Sequence, residues 1–250
     1  YFYINMKIGI IIPSTSHKRD WKSFNDTYLV KHTLKTFFIT YNQEHNYTFY
    51  IGIDKGDRIY DNSEIQSNIL RLVSIIKNVN LEFIYMSDIP KGHLTIMWNK
   101  LFDKAYDDDC DYFFQCGDDI VFTTKNWIND CIEVLQKNNN IGIAGPINNN
   151  PRILTQSFVS RKHKELFNYY FPPELINWFC DDWINEVYRK LNAFFPLKEH
   201  YCNNVGGKPR YDIHNIKNFE DNLRNNWITI RKLCNTIVER DAKKAHMIVM

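Results

Sequence analysis

Short runs rich in isoleucine, phenylalanine and tyrosine alternate along the chain with longer stretches in which apolar residues recur every three or four positions. The first pattern predicts strands at 7–12, 47–53, 81–86, 112–116 and 141–144, and the second predicts helices at about 25–39, 61–77, 93–106 and 125–137. Thr124 stands where an N-cap would open the last of these helices. Strand and helix in alternation build a mostly parallel sheet covered by helices, so the chain up to Pro146 reads as βαβ units.

After "GPINNNPR" the rhythm changes. Residues 153–159 read as a strand, "PPELINWFCDDWINEVYRKL" as helix after a proline break, and "LKEHYCNNVGGKPRYDIH" as strand and loop. From about 216 to 245 a long helix is predicted. Ile216, Phe219, Leu223, Trp227, Ile230, Leu233 and Ile237 fall at spacings of three and four, a stripe suited to packing on the rest of the domain.

With 250 residues, 44% of them hydrophobic, the chain can bury the core of a single domain. The formal charge is only +2, so no broad basic field is available for a phosphate backbone, and nucleic acid is not an expected partner. No stretch reaches the ~18 apolar residues of a membrane span. The sequence starts at Tyr1, which suggests a piece of a longer chain whose anchor or transit signal could lie outside it. Six cysteines without a CxxC pair suit reduced thiols. The asparagine- and isoleucine-rich style suggests an AT-rich genome such as that of a protist or giant virus. A cytoplasmic location is expected, the host cytoplasm or virus factory in the viral case.

The candidate chemistry centres on "FFQCGDDIVF", where Asp118 and Asp119 follow a hydrophobic strand. An isolated GDD is more often a solvated turn. In an open parallel sheet, however, ligands bind outside the carboxyl ends of the strands, and two carboxylates there are hard oxygen ligands for Mg²⁺ or Mn²⁺.

The wider segment "KGHLTIMWNKLFDKAYDDDCDYFFQCGDDIVFTTKNWINDCIEVL" resembles the core of nucleotide-sugar-dependent glycosyltransferases of the GT-A fold, family 2-like. Gly92, Asn99, Ala105, the strand at 112–115, the Asp118–Asp119 pair and Trp127 fill the family's places in order. The usual motif is Asp-x-Asp, and Gly117 stands at its first position. The resemblance therefore implies Asp119 as a direct ligand of Mn²⁺ or Mg²⁺, with Asp118 helping at the ribose or at metal-bound water. "KIGIIIPSTSHKR" is similar to the first strand and nucleotide-binding loop, which implies donor contacts from Pro13, Ser14, Thr15 and Arg19. "FYIGIDKGD" is similar to the second strand, with Asp54 as first choice for base or ribose and Asp57 as second. Lys91 in its loop and Asn99 in its helix complete the donor side.

"FPPELINWFCDDWINEVY" looks like the acceptor-side segment of such enzymes, implying Asp182 as catalytic base with Asp181 the alternative, and Trp178 and Trp183 as acceptor platform. "HYCNNVGGKPRYD" is similar to the segment whose histidine completes the metal site, implying His200, with His214 in reserve. The implied fold is α/β, a Rossmann-like, mostly parallel GT-A sheet flanked by helices. Residues 7–146 would form the nucleotide-sugar half, 147–214 the acceptor and metal-closing half, and 215–250 the C-terminal helix. The implied reaction moves a sugar from a UDP- or GDP-sugar to a hydroxyl of a glycan, glycoprotein or other acceptor, with inversion by an Asp base. GDD also occurs in viral RNA polymerases, but the chain is short for a palm, fingers and thumb and lacks a basic excess. The glycine-rich opening of a sugar nucleotidyltransferase is missing from "IIPSTSHKR". A non-catalytic carbohydrate-binding protein on the same fold is the remaining alternative.

Overall fold

The computed structural model describes residues 5–150, 152–207, 210–211 and 219–249, with side chains from 227 onward in the last stretch. Its strands are β1 (Lys7–Ser14), β2 (Asn46–Ile53), β3 (Val79–Tyr85), β4 (Tyr112–Gln115), β5 (Ile120–Phe122), β6 (Ile143–Ile147), β7 (Ser157–Ser160) and β8 (Phe194–Asn204). They form one sheet in the order β3-β2-β1-β4-β7-β6-β8-β5. The pairs β1–β2, β2–β3, β1–β4 and β6–β8 are parallel, and β7 and β5 join antiparallel. A π-helical turn (Leu29–Leu34) runs into α1 (Lys35–Thr40). Then follow α2 (Ser63–Ser74), α3 (Leu94–Asp107), α4 (Trp127–Lys137), α5 (Lys162–Phe167), α6 (Cys180–Lys190) and α7 (Phe219–Val249). This is an α/β, GT-A-like architecture.

The central strands are apolar on both faces because helices cover both. In β4, neighbouring side chains point to opposite sides. Phe114 meets Trp127 of α4 with ring centroids 4.8 Å apart, while Phe113 meets Phe102 of α3 at 4.6 Å. β1 carries the same two-sided burial in Ile8, Ile10, Ile11 and Ile12, each no more than 1% exposed. Chain order reverses between β1, which continues to β2, and β4 on its other side. Side chains leaving the carboxyl ends of these two strands therefore share one crevice.

Several expectations change. The segment 153–159 is strand only from Ser157. Upstream, Leu154 is tied instead to buried Asn185 of α6, whose amide both accepts from its N–H and donates to its carbonyl at 2.8 Å. Thr124 does not cap α4. Asn126, with φ +67, is the N-cap, and the Thr124 hydroxyl engages the His200 ring at 3.1 Å. In α7 the buried face is Cys234, Ile237, Val238, Asp241, Ala242 and Ala245, lying against α5 and α6. Trp227 and Leu233 of the expected stripe are 37% and 41% exposed, and Ile216 lies outside the described residues. Small residues let the helix approach α6 closely, and large ones at the same period had suggested a neighbouring face. Asp241 is buried within this contact, accepting from Trp183 Nε1 at 3.0 Å and from the Tyr169 hydroxyl at 2.7 Å.

All six cysteines are buried and unbridged. Among the described residues no helix is long and apolar enough to cross a membrane.

His163 of α5 is 1% exposed, with its ring nitrogens 2.8 Å from the Tyr188 hydroxyl and 3.0 Å from the Tyr170 carbonyl. Burial pushes its pKa down to about 4, so the folded protein holds the ring neutral while the unfolded chain takes up a proton below the ordinary histidine value. Stability from this residue is present at neutral pH and is lost as pH falls through 6.5 toward 4. Between pH 7 and 5 the loss is about 2 kcal/mol. The unfolding free-energy difference between wild type and His163→Gln is therefore expected to shrink by about that amount over this range, as read by urea titration. A pH-independent difference would show that the ring is not held neutral.

Candidate active site

A cleft of about 580 Å³ opens at the carboxyl ends of β1 and β4. Pro13, Ser14, Thr15, Arg19, Asp54, Asp118, Asp119 and Asp181 all line it. Except for Arg19 in the loop after β1 and Asp181 in α6, these residues come from strand ends far apart in sequence and converge because the sheet places β1 between β2 and β4.

Asp118 is 2% exposed and cannot remain charged there alone. Its carboxylate accepts from the Ser14 hydroxyl at 2.5 Å and from Arg210, whose Nη1 donates to Oδ2 at 2.7 Å and whose Nη2 donates to Oδ1. The guanidinium carbon lies 5.6 Å from the ring centres of both Trp21 and Tyr28. Asp119 packs between two glycines. A Cβ on Gly206 would lie 1.5 Å from Asp119 Oδ2, and one on Gly117 2.5 Å from Oδ1. Burial and then the neighbouring Asp118 charge push the Asp119 pKa up to about 6.

Asp54 is 3% exposed and accepts from the Tyr211 hydroxyl, while the Tyr211 ring stacks on His17 with centroids 4.9 Å apart. Asp57 has a different task. It accepts from Thr15 Oγ1, Ser16 N, Ser16 Oγ, Ile59 N and Tyr60 N at 2.7–3.0 Å, which fixes the loop after β1. Burial would raise its pKa, but the backbone N–H groups of Tyr60 and Ser16 outweigh it and hold the carboxylate low. Lys91 lies outside the main cleft, on an adjoining depression beside Asp57.

On the opposite wall, Asp181 sits in the first turn of α6 and borders both the cleft and a second cavity of about 360 Å³. The only hydrogen bond to its carboxylate among the described residues comes from the Cys180 thiol, at 3.7 Å. Burial, then the Asp182 charge, pushes its pKa up to about 7. Asp182 borders only the second cavity and faces Arg152 at 3.8 Å. Trp98 borders both cavities, and its buried Nε1 has no acceptor among the described residues.

With Lys91, four expected placements fail. Asn99 does not reach the cleft. Its amide accepts from the Tyr170 and Phe171 N–H groups at 2.9 Å and donates to the Phe171 carbonyl at 2.8 Å, which locks α3 to that turn. Trp183 is 0% exposed in the contact with α7 and cannot be a platform. Trp178 does border the second cavity, edge-on to Trp227 with centroids 4.3 Å apart.

His200 is the fourth. Asp119 O accepts from Val205 N, and His200 lies five residues further along β8, about 16 Å away at ~3.3 Å per residue. Its ring is engaged by Asp130 at 2.6 Å and Thr124 at 3.1 Å. His214 lies outside the described residues. Among the described residues no three histidine, cysteine or acidic side chains gather as metal ligands, and both Asp118 oxygens are already held by a guanidinium. Among the described residues the donor set does not fit a divalent cation. Arg210 and Tyr211 were not singled out from sequence. The available signal was no more than a basic and an aromatic residue shortly after the paired glycines of "VGGKPRY".

No family model matches the chain, and no curated protein matches it in sequence. Among solved structures it is similar to S. aureus TarS, with a TM-score of 0.53 at 13% identity over 78% of this chain and 36% of that one. It is also similar to S. aureus TarS 1-349 in complex with UDP, at 0.52 and 12% over 79% and 60%. The complex of TarS 1-349 with UDP-GlcNAc gives 0.55 and 12% over 84% and 62%. The chain thus spans 36% to 62% of these neighbours' length, and at such identity the likeness establishes the fold.

Gly206→Ala is expected to lower the melting temperature, because the new methyl must push Asp119 or the strand end aside at a cost of about 1–3 kcal/mol. Calorimetry giving an unchanged melting temperature would mean that Asp119 is not packed on that backbone.

Proposed function

We propose that the protein is a glycosyltransferase that moves a sugar from a nucleotide-diphosphate sugar to an acceptor hydroxyl, with Asp181 as the base. Two facts support the donor assignment: the fold likeness to TarS structures with bound UDP and UDP-GlcNAc, and a crevice at the switch point of the sheet. Asp54 and Thr15, at the ends of β2 and β1, serve the nucleoside, as a UDP-sugar would require. Residues 7–146 supply most of this donor wall, Arg210 and Tyr211 close it, and α6 supplies the acceptor wall.

The observation that carries the reaction is Asp181. It borders both cavities, accepts little from the protein, and has a pKa near working pH, where a general base is most effective. In the step, the acceptor oxygen bonds to the anomeric carbon, the acceptor proton passes to Asp181, and the carbon–oxygen bond to the diphosphate breaks with its electron pair. A base on the face opposite the leaving group gives inversion. Trp98 Nε1 is placed to donate to the sugar between the two walls. Trp178 at the second cavity serves the acceptor, a glycan or another hydroxyl compound.

With a UDP-sugar and a hydroxyl acceptor, the rate is expected to rise with pH through about 7 and level off above it, because the base must be ionised. Asp181→Asn should lower kcat by ~10² to 10⁴-fold and remove that limb, whereas Asp182→Asn stays within a few-fold. Full turnover in Asp181→Asn would reject the base. Failure of every sugar nucleotide to shift the thermal transition or to turn over would reject the transferase.

A further inference from the structure

We propose that Arg210 is the cationic group that receives the donor's diphosphate, so that the site operates without a divalent metal ion. The proposal rests on the donor assignment above and concerns what offsets the leaving group's charge.

Three observations carry it. First, the guanidinium occupies a built receptor. Asp118 grips it in bidentate fashion, the rings of Trp21 and Tyr28 lie 5.6 Å away, and only 13% of its side chain is exposed. The fork that matches a carboxylate matches phosphate oxygens equally well, and the weakly hydrated guanidinium suits a half-dry cleft. Second, Asp118 uses two of the five guanidinium N–H groups, and the other three have no acceptor among the described residues although Arg210 lines the cleft. Third, Asp118 is already occupied, since both of its oxygens face Arg210, and Asp119 beside it gathers no further histidine, cysteine or acidic ligands among the described residues.

Arg19 adds a second cation on the same wall, where its Nη2 donates to the Gly206 carbonyl at 3.2 Å. Asp118 then acts as a positioning residue that orients the guanidinium. As the bond between the anomeric carbon and the diphosphate oxygen breaks, the electron pair remains on that oxygen, and preorganised N–H donors meet the charge.

The test is titration calorimetry of the whole chain with inorganic pyrophosphate and with UDP, in EDTA and in Mn²⁺. Wild type is expected to bind both in EDTA with an affinity within about 3-fold of that in Mn²⁺. Loss of the charge-assisted bonds in Arg210→Ala should weaken binding by ~10 to 100-fold. Because Arg210→Ala strands a buried carboxylate, Asp118→Asn provides a second variant. It leaves Arg210 in place but less firmly oriented, so pyrophosphate binding in EDTA should weaken less than in Arg210→Ala, whereas loss of a metal ligand would abolish it. Binding that needs Mn²⁺, or that survives Arg210→Ala and disappears in Asp118→Asn, overturns the proposal. Pyrophosphate held by Arg210 without any sugar-nucleotide turnover would leave this assignment standing and remove the transferase. Turnover that stops in EDTA and returns with Mn²⁺ would do the reverse.

Discussion

A carboxylate at the end of a strand that is apolar on both faces must find a partner, and the arrangement of the cleft follows from how Asp118 finds one. The side chain is 2% exposed, so the cost of holding its charge falls on Ser14 at the end of β1 and on Arg210 beyond β8. That demand brings the chain after β8 across the mouth of the crevice, where Tyr211 reaches Asp54 and Gly206 closes on Asp119. One ion pair thereby connects the ends of β1, β2 and β4 with the segment that follows β8. Breaking such a pair on one side is costly because it leaves an uncompensated charge in a dry place.

The two acidic walls of the cleft differ in kind. Asp118 has a strong cation and a hydroxyl, and Asp57 has five donors. These are fixed anions that shape the site. The Asp181 carboxylate is part-buried with almost nothing to accept from and is pushed toward neutrality, which suits a group that takes up a proton and later releases it. Its neighbour Asp182, one position further along α6, faces Arg152 and solvent. Environment separates adjacent residues of the same type into different tasks, as is usual where acid and base roles must coexist.

The apolar wall behind the cleft matters as much as its charges. Phe113 and Phe114 send their rings to opposite layers, so the strand carrying the acidic pair is clamped from both sides and its end cannot drift. On the far side, Asn185 secures the turn at Leu154, and Asn99 secures the turn at Tyr170 and Phe171. Both asparagines are satisfied by backbone groups, which holds irregular chain at fixed distance from the sheet.

The amino-acid sequence by itself determined the main helices and every strand but β5 up to Pro146, because burial on both faces leaves continuous apolar runs and amphipathic helices leave a period of 3.6. It also determined that the acidic pair follows a buried strand, so Ser14, Asp54 and Asp118 could be placed at strand ends without coordinates. It could not decide partners. That His200 lies five residues along β8 from the Asp119 pairing, that Asp181 rather than Asp182 faces the cleft, and that α7 buries Cys234, Ala242 and Ala245 depend on register and helix rotation. Those quantities are fixed only when elements pack, since a side chain's direction follows from its neighbours in space. Arg210 shows this most clearly: nothing local marks one basic residue after a glycine pair, and only the folded sheet brings it to a carboxylate 92 positions away.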